Sequence, residues 1–392
     1  MTGVSSSCAI ERIEAFAVPP RWLFVRVRTR DGADGWGEAI VPKRRAAVLG
    51  ALQDLAANLH GRDPNRIEEL WQRMRRGGFF REGPVLATAT AAIEQALWDL
   101  KARRLGVGVY EFLGGRVRDR IPVYAWIAGD RPQHVVLDAR TRIQQGFAVV
   151  KMNATDECDL LGAHAAIDAA VARLGALRDE FGDQLQVALD FHGRVPRSVA
   201  PTLLRELAPL RPLWVEEPLP PGHEDMLPEL AETGVRLATG ERLLSRWGFR
   251  RLLERGGVSV LQPDVSLTGL FELEKICRMA EAYDLDVVPH CPNGPISLAA
   301  SLQVASACVN VPLHEQSIGL HYHAGYEGLP SAELFDYLVD PAVLTPERGS
   351  IPVPTGPGLG IEPAEQLILQ RQSDWRLPDP DWTHPDGRIA EW

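Results

Sequence analysis

Three features of the chain predict an α/β fold: a parallel (β/α)8-type barrel, a modified TIM barrel, with an N-terminal α+β capping domain completed by the C-terminal tail. The first is a recurring unit made of an apolar run, a polar residue and a helical stretch. The polar residues closing successive runs are Asp190, Glu216, Glu241, Asp264, His290 and Glu315, spaced by 26, 25, 23, 26 and 25 residues. A period of that size holds one strand, one helix and two loops. The second is the number of units, which reaches eight when VYAWI near residue 125 and VVKMN before Ala154 are counted. Eight successive βα units close into a parallel barrel with right-handed crossovers. The third is a change of pattern, because the opening of the chain alternates with a period of two and not with this longer repeat.

The elements follow in order. Residues 10 to 38 read as strands, RIEAFAV and LFVRVRT, with the turn signal Asp31-Gly32 before GWGEA. They predict a small antiparallel sheet. From Arg45 to Leu105 the period becomes helical, Ile93, Leu97 and Leu100 mark one apolar face, and Gly106 follows as a stop. These boundaries divide the chain into a capping domain over 1–118, a barrel over 119–348 and a segment over 349–392. The last carries Trp375, Trp382 and Trp392 and is expected to pack back on the capping domain.

A chain of 392 residues with 45% apolar content buries a substantial core without staples. Its net charge of −10 argues against nucleic acid or an anionic membrane as partner. No run approaches the length of a membrane span, and MTGVSSSCAI lacks the basic start of a secretory signal, so the cytoplasm is the expected location. Cys8, Cys158, Cys277, Cys291 and Cys308 show no CxxC spacing and read as reduced structural thiols, including Cys291 in PHCPNGP.

Barrel enzymes carry their chemistry at the C-terminal ends of the strands. One polar residue there serves as a helix cap; six in register ask for another reason. Asp190, Glu216 and Glu241 end consecutive strands and so converge, and three convergent carboxylates repel unless a cation neutralises them. An all-oxygen set suits Mg²⁺, with Mn²⁺ as the alternative. Asp264 behind His290 is the arrangement of a general base whose tautomer is fixed by a carboxylate. Lys151 and Asn153 are two apart and share a face. His192 stands two after Asp190 and is expected in the same cavity; Lys151, Asn153 and Arg194 are the candidate substrate-binding residues. His314 should face away by alternation, and His223, His321 and His323 fall in loops.

The chain resembles the enolase superfamily, in particular its mandelate racemase type. The resemblance rests on PPRWLF, DGWGE, IEQALWDLK, WIAGDRP, KMN, DFHGRV, EEP, GER, LQPD, PHCPNGPISLAA, HEQSIGLHYH and PGLGIEP, in this order over essentially the whole length. It implies metal ligation by Asp190, Glu216 and Glu241, proton abstraction by His290 backed by Asp264, protonation of a departing 3-hydroxyl by His192, and a hydrogen bond from Glu315 to the substrate carboxylate. Together these imply loss of water from a sugar acid to give a 2-keto-3-deoxy acid, with D-galactonate first and gluconate, mannonate or a pentonate as alternatives. The implied partner is this small anion, and a homo-oligomer is expected. Related racemases carry Lys-x-Lys on the second barrel strand, whereas this chain has Lys151-Met152-Asn153, which favours a one-base dehydratase. Pro42, Lys43, Arg45 and Glu82 depart from the family pattern in the capping loops, where the distal end of a sugar is read. Two other classes remain open: a metal-free glycoside hydrolase using two carboxylates, against which the third carboxylate speaks, and a sugar-acid-binding barrel without turnover.

Overall fold

The structure is a computed structural model that describes residues 6–127, 134–317, 335–372, 382–384 and 386–391. Trp375, Trp392, His321, His323 and most of the WIAGDRP segment lie outside the described residues.

Strands β1 (Ile10–Val18), β2 (Trp22–Thr29) and β3 (Asp34–Ala39) form an antiparallel sheet in that order. Helices α1 (Arg45–Leu59), α2 (Ile67–Arg76) and α3 (Pro84–Leu105) cover one face, packing Val48, Leu52, Leu70, Ile93 and Leu97 against Val25 and Val27. Pro84 starts α3 and Gly106, with φ +69, ends it. The glycines of GWGE have a steric reason: a Cβ on Gly37 would lie 2.0 Å from the Ala92 carbonyl oxygen, and one on Gly35 2.2 Å from that of Ala96. The backbone of α3 therefore lies directly on β3.

The barrel follows as β4 (Arg120–Ile127), α4 (Val135–Gln144), β5 (Val149–Asn153), α5 (Ala163–Phe181), β6 (Gln186–Asp190), α6 (Ala200–Leu207), β7 (Val215–Glu216), α7 (Leu227–Ala231), β8 (Leu237–Thr239), α8 (Arg246–Arg255), β9 (Val260–Leu261), α9 (Val265–Glu281), β10 (Asp286–Val287), α10 (Pro295–Ala307) and β11 (His314–Glu315). All eight strands are parallel, in the order β10-β9-β8-β7-β6-β5-β4-β11. This is the alternation that the 25-residue recurrence predicts. The remaining seam, between β10 and β11, is crossed by the Glu315 N–H donating to the Pro289 carbonyl at 3.4 Å. Inward-facing Tyr124, Trp126, Ala188, Trp214, Ala238, Val260, Val288 and Leu313 fill the interior beneath the strand ends. The larger apolar cluster lies between strands and helices.

The chain then returns through β12 (Ser350–Pro352), which pairs antiparallel with the start of β4. Tyr337 packs edge-on against Trp22 and Phe24 and donates its hydroxyl to the Pro19 carbonyl at 2.9 Å. The short helix Glu365–Arg371 reaches the capping sheet, where Glu365 pairs with Arg26. Residues 382–384 and 386–391 go elsewhere, onto the loops at the C-terminal end of the barrel. No described helix is long and apolar enough to cross a membrane.

Candidate active site

Strand alternation delivers the site residues of β5. Lys151 and Asn153 point inward while Val150 and Met152 join the outer core. The Lys151 ammonium is fully buried, 2.7 Å from Glu216 Oε1, 3.3 Å from Glu315 Oε1 and 3.5 Å from Asp190 Oδ2. The rings of Trp126 and Tyr124 lie 4.7 Å and 5.3 Å from it. Burial works to discharge this lysine, but the surrounding carboxylates hold its pKa well above the ordinary range.

Asp190 ends β6, Glu216 ends β7, and Glu241 lies two residues past β8 across Gly240 at φ +137. One ligand atom from each falls within 4.8 Å of the others. Burial and then Asp190 push Glu216 up to about 7, and burial pushes Asp190 up to about 6 despite Lys151. Glu315 is also buried here but is held below the usual range by Lys151 and His290, the Cys291 N–H at 2.7 Å and the Trp126 indole N–H at 2.6 Å. Lys151 alone leaves this group of four carboxylates anionic. A hard divalent cation with open coordination sites fits the donor set at Asp190, Glu216 and Glu241.

The two histidines flank the cluster. His290 Nδ1 meets Asp264 Oδ2 at 2.8 Å, and its Nε2 faces Glu241 Oε2 at 3.2 Å and Glu315 Oε2 at 4.0 Å. Burial would lower its pKa, but Glu241, Glu315 and Asp264 hold it up to about 10. Asp264 is also the N-cap of α9, accepting the Ser266 N–H at 2.7 Å, and takes a further bond from the Asn293 amide at 2.9 Å. Helix cap and partner of the imidazole are thus one residue, using different oxygens.

His192 reaches the cavity by a different route from simple alternation. The strand stops at Asp190, and a left-handed turn, φ +48 at His192 and +71 at Gly193, swings the imidazole round. Its Nε2 lies 3.3 Å from Asp190 Oδ2 and its ring is parallel to Trp126 at 6.0 Å. The turn is fixed by the His192 N–H to Asp190 Oδ1, the Gly193 N–H to the Glu217 carbonyl, and the Arg242 guanidinium to the His192 carbonyl, each at 2.9 Å. Burial and the cations Arg194, Lys151 and Arg242 push the His192 pKa well below the usual imidazole range. Arg194 donates to the Thr155 carbonyl at 3.0 Å and lies 4.4 Å from the ring centre of Trp382. His314 faces outward, with Nε2 2.6 Å from Ser301 Oγ, and burial pushes it down to about 4.

Several working residues escaped the sequence reading. Gln262 donates to Glu216 Oε2 at 2.7 Å and could have been found by alternation, since it stands two before Asp264. Glu217, the second acid of EEP, clamps Arg242 at 2.6 Å. Glu38 of β3 is fully buried and accepts the N–H groups of Gly294 and Ser297 at 2.7 and 3.0 Å, which joins the capping domain to the first turn of α10. Of the departures in the capping loops, Lys43 and Glu82 both adopt left-handed backbone, φ +64 and +80, and Glu82 pairs with Arg75 at 3.2 Å.

Comparison with known proteins agrees with this geometry. Residues 19–114 match the mandelate racemase/muconate lactonizing enzyme N-terminal domain, and residues 134–367 match the enolase C-terminal domain-like family. Similar relatives include the D-galactonate dehydratases of Ralstonia pickettii (strain 12J) and Variovorax paradoxus (strain S110), each 46% identical over 98% of this chain and 100% of their own. Among solved structures, an enolase from Agrobacterium radiobacter bound to Na and L-malate superposes with TM-score 0.86 at 30% identity, covering 97% of this chain and 99% of its own. A member of the enolase superfamily from Salmonella Typhimurium gives 0.83 at 27% identity, with 93% and 98% covered. With both domains matched and strand ends that converge as described, the chain belongs to the mandelate racemase/muconate lactonizing enzyme family of the enolase superfamily.

Proposed function

We propose that this chain is a divalent-metal-dependent sugar-acid dehydratase whose first substrate is D-galactonate. The observation that carries the reading is a pair of imidazoles flanking one carboxylate cluster, His290 beside Glu241 and His192 beside Asp190. Relatives 42 to 46% identical over their full length bear the name D-galactonate dehydratase, which supports the substrate.

Asp190, Glu216 and Glu241 would hold the ion, Mg²⁺ by its preference for oxygen and Mn²⁺ as the alternative, and when bound it supplies positive charge against the charge developing on the substrate carboxylate. Nδ1 of His290 is turned to Asp264, and Nε2 faces Glu241 and the substrate. With Glu241 holding a cation, the carboxylate that keeps this imidazole charged is offset, so that Nε2 is free to take the C2 proton. The electron pair released at C2 forms the C2=C3 bond while the C3–O bond breaks. His192 gives its proton to the departing hydroxyl, which leaves as water, and the enol tautomerises to the 2-keto-3-deoxy acid. The free protein holds His192 neutral, so an anionic substrate has to raise its proton affinity on arrival. Lys151, kept charged by three carboxylates, neutralises the site and is no base. Asn153 stands where a racemase would carry its second lysine and is buried on the same face of β5 as Lys151.

Incubation with Mg²⁺ and individual six-carbon aldonates should yield 2-keto-3-deoxy acid from D-galactonate, lost with EDTA and restored by Mg²⁺ or Mn²⁺. Absence of product from every aldonate with either ion would sink the proposal, and turnover indifferent to EDTA would point to metal-free hydrolase chemistry.

A further inference from the structure

We propose that the C-terminal hairpin, described over residues 382–384 and 386–391, belongs to the active site, with Trp382 as a positioning residue that fixes Arg194 and through it the turn carrying His192. The inference rests on the dehydratase reading and adds to it a part of the chain that lies beyond the matched family domain, which ends at residue 367.

The hairpin has its own internal order. Thr383 bridges Ile389 antiparallel, the His384 N–H donates to the Arg388 carbonyl at 2.8 Å, and the Ala390 N–H donates to the Trp382 carbonyl at 2.9 Å. Its turn is anchored to the loop after β5 by Arg388 and Asp159 at 2.9 Å, and Asp159 also accepts the Gly162 N–H at 2.8 Å just before α5. From this anchorage Trp382 presents its ring to the buried guanidinium of Arg194, 4.4 Å away. Arg194 is also tied to the Thr155 carbonyl in that same loop, at 3.0 Å. The arginine is thus held by both a ring and a carbonyl, and it stands two residues from His192. A second arginine, Arg242, holds the His192 carbonyl at 2.9 Å.

His192 sits in left-handed backbone, so the turn depends on outside contacts for its position. His290 is held by Asp264 from another part of the barrel, and among the described residues no hydrogen bond or ion pair joins it to the hairpin. Loosening Trp382 should therefore disturb proton delivery to the leaving hydroxyl and leave C2 proton abstraction intact. A misplacement of about 1 Å costs on the order of 10²-fold in such a step.

The test compares Trp382→Leu, Trp382→Phe and Arg388→Ala. In D₂O, Trp382→Leu should lose dehydration by roughly 10²-fold while C2 hydrogen exchange stays within about twofold of wild type. Trp382→Phe, which keeps an aromatic face, should recover most of the loss, and Arg388→Ala at the exposed turn should give an intermediate loss. An activity-free measurement separates this from the substrate assignment: amide exchange by mass spectrometry should show deprotection of the segment around Phe191 to Arg194 in Trp382→Leu. Unchanged protection there overturns the proposal whatever the substrate is. So does an equal fall of exchange and dehydration.

Discussion

Asp264→Asn is the sharpest perturbation of the proposed base, because the bonds around this residue decide which way the amide turns. Asp264 Oδ1 accepts from Ser266 N–H and the Asn293 amide at 2.7 and 2.9 Å, while Oδ2 meets His290 Nδ1 at 2.8 Å. If the amide keeps its oxygen on the two donors, its NH₂ points at Nδ1, which must then accept. The ring proton moves to Nε2, and the nitrogen facing the substrate loses its lone pair. The opposite orientation sets the NH₂ against two buried donors, each left unsatisfied at a cost of about 1–3 kcal/mol. The first orientation wins. Loss of one charge-assisted hydrogen bond alone would be worth about 1.5–3 kcal/mol. Inversion of the tautomer by the same carboxylate-to-amide change in a Ser-His-Asp triad lowers kcat by about 10⁴, or roughly 5 kcal/mol. We expect both C2 exchange in D₂O, followed by NMR, and dehydration, followed by 2-keto-3-deoxy acid, to fall by about 10³ to 10⁴. Unfolding free energy should fall by no more than that one bond, about 1.5–3 kcal/mol, since the cap of α9 survives in this orientation. Activity within tenfold of wild type would refute the tautomer argument.

Gly37→Ala places a methyl 2.0 Å from the Ala92 carbonyl oxygen, so β3 and α3 must separate, and urea unfolding should show a loss of about 3 kcal/mol. Gly50→Ala in α1 has nothing within 4 Å and should gain up to about 1 kcal/mol in the same assay. His314 is neutral in the fold, pushed down to about 4 by burial, and protonates near 6.5 in the unfolded chain. The unfolded state therefore binds the extra proton between those values, and stability falls as pH drops from about 6.5 to 4, by up to about 3 kcal/mol from this group. In His314→Gln that component disappears, so its unfolding free energy should lose correspondingly less over the same pH range.

The barrel was legible because each strand end carries a polar residue that the core has no use for, and these recur at the length of one βα unit. The metal-ligand candidates were legible for the same reason. What alternation could not show was how His192 reaches the cavity, since a left-handed turn at a non-glycine residue is held by tertiary contacts to Glu217 and Arg242. Nor could spacing reveal that Asp264 is both a helix cap and the partner of His290, because the two readings use different oxygens of one carboxylate. Trp382 marked its segment as one that packs, but the sequence offered the capping domain as the surface. Its contact with Arg194 joins residues 188 positions apart and leaves no local trace.

Glu38 gives the two matched domains a shared fate. The first turn of α10 begins at the loop that holds Asn293 against Asp264, and two of its backbone N–H groups end on a carboxylate contributed from 256 and 259 residues earlier in the chain. A barrel transplanted under a different cap would expose those donors next to the residue that orients its imidazole. The cap of this protein is therefore not an exchangeable selectivity module placed over a self-sufficient engine. Any recombination that swaps the N-terminal domain must bring a buried acid to the same point, or it inherits a barrel whose His290 imidazole is held less firmly.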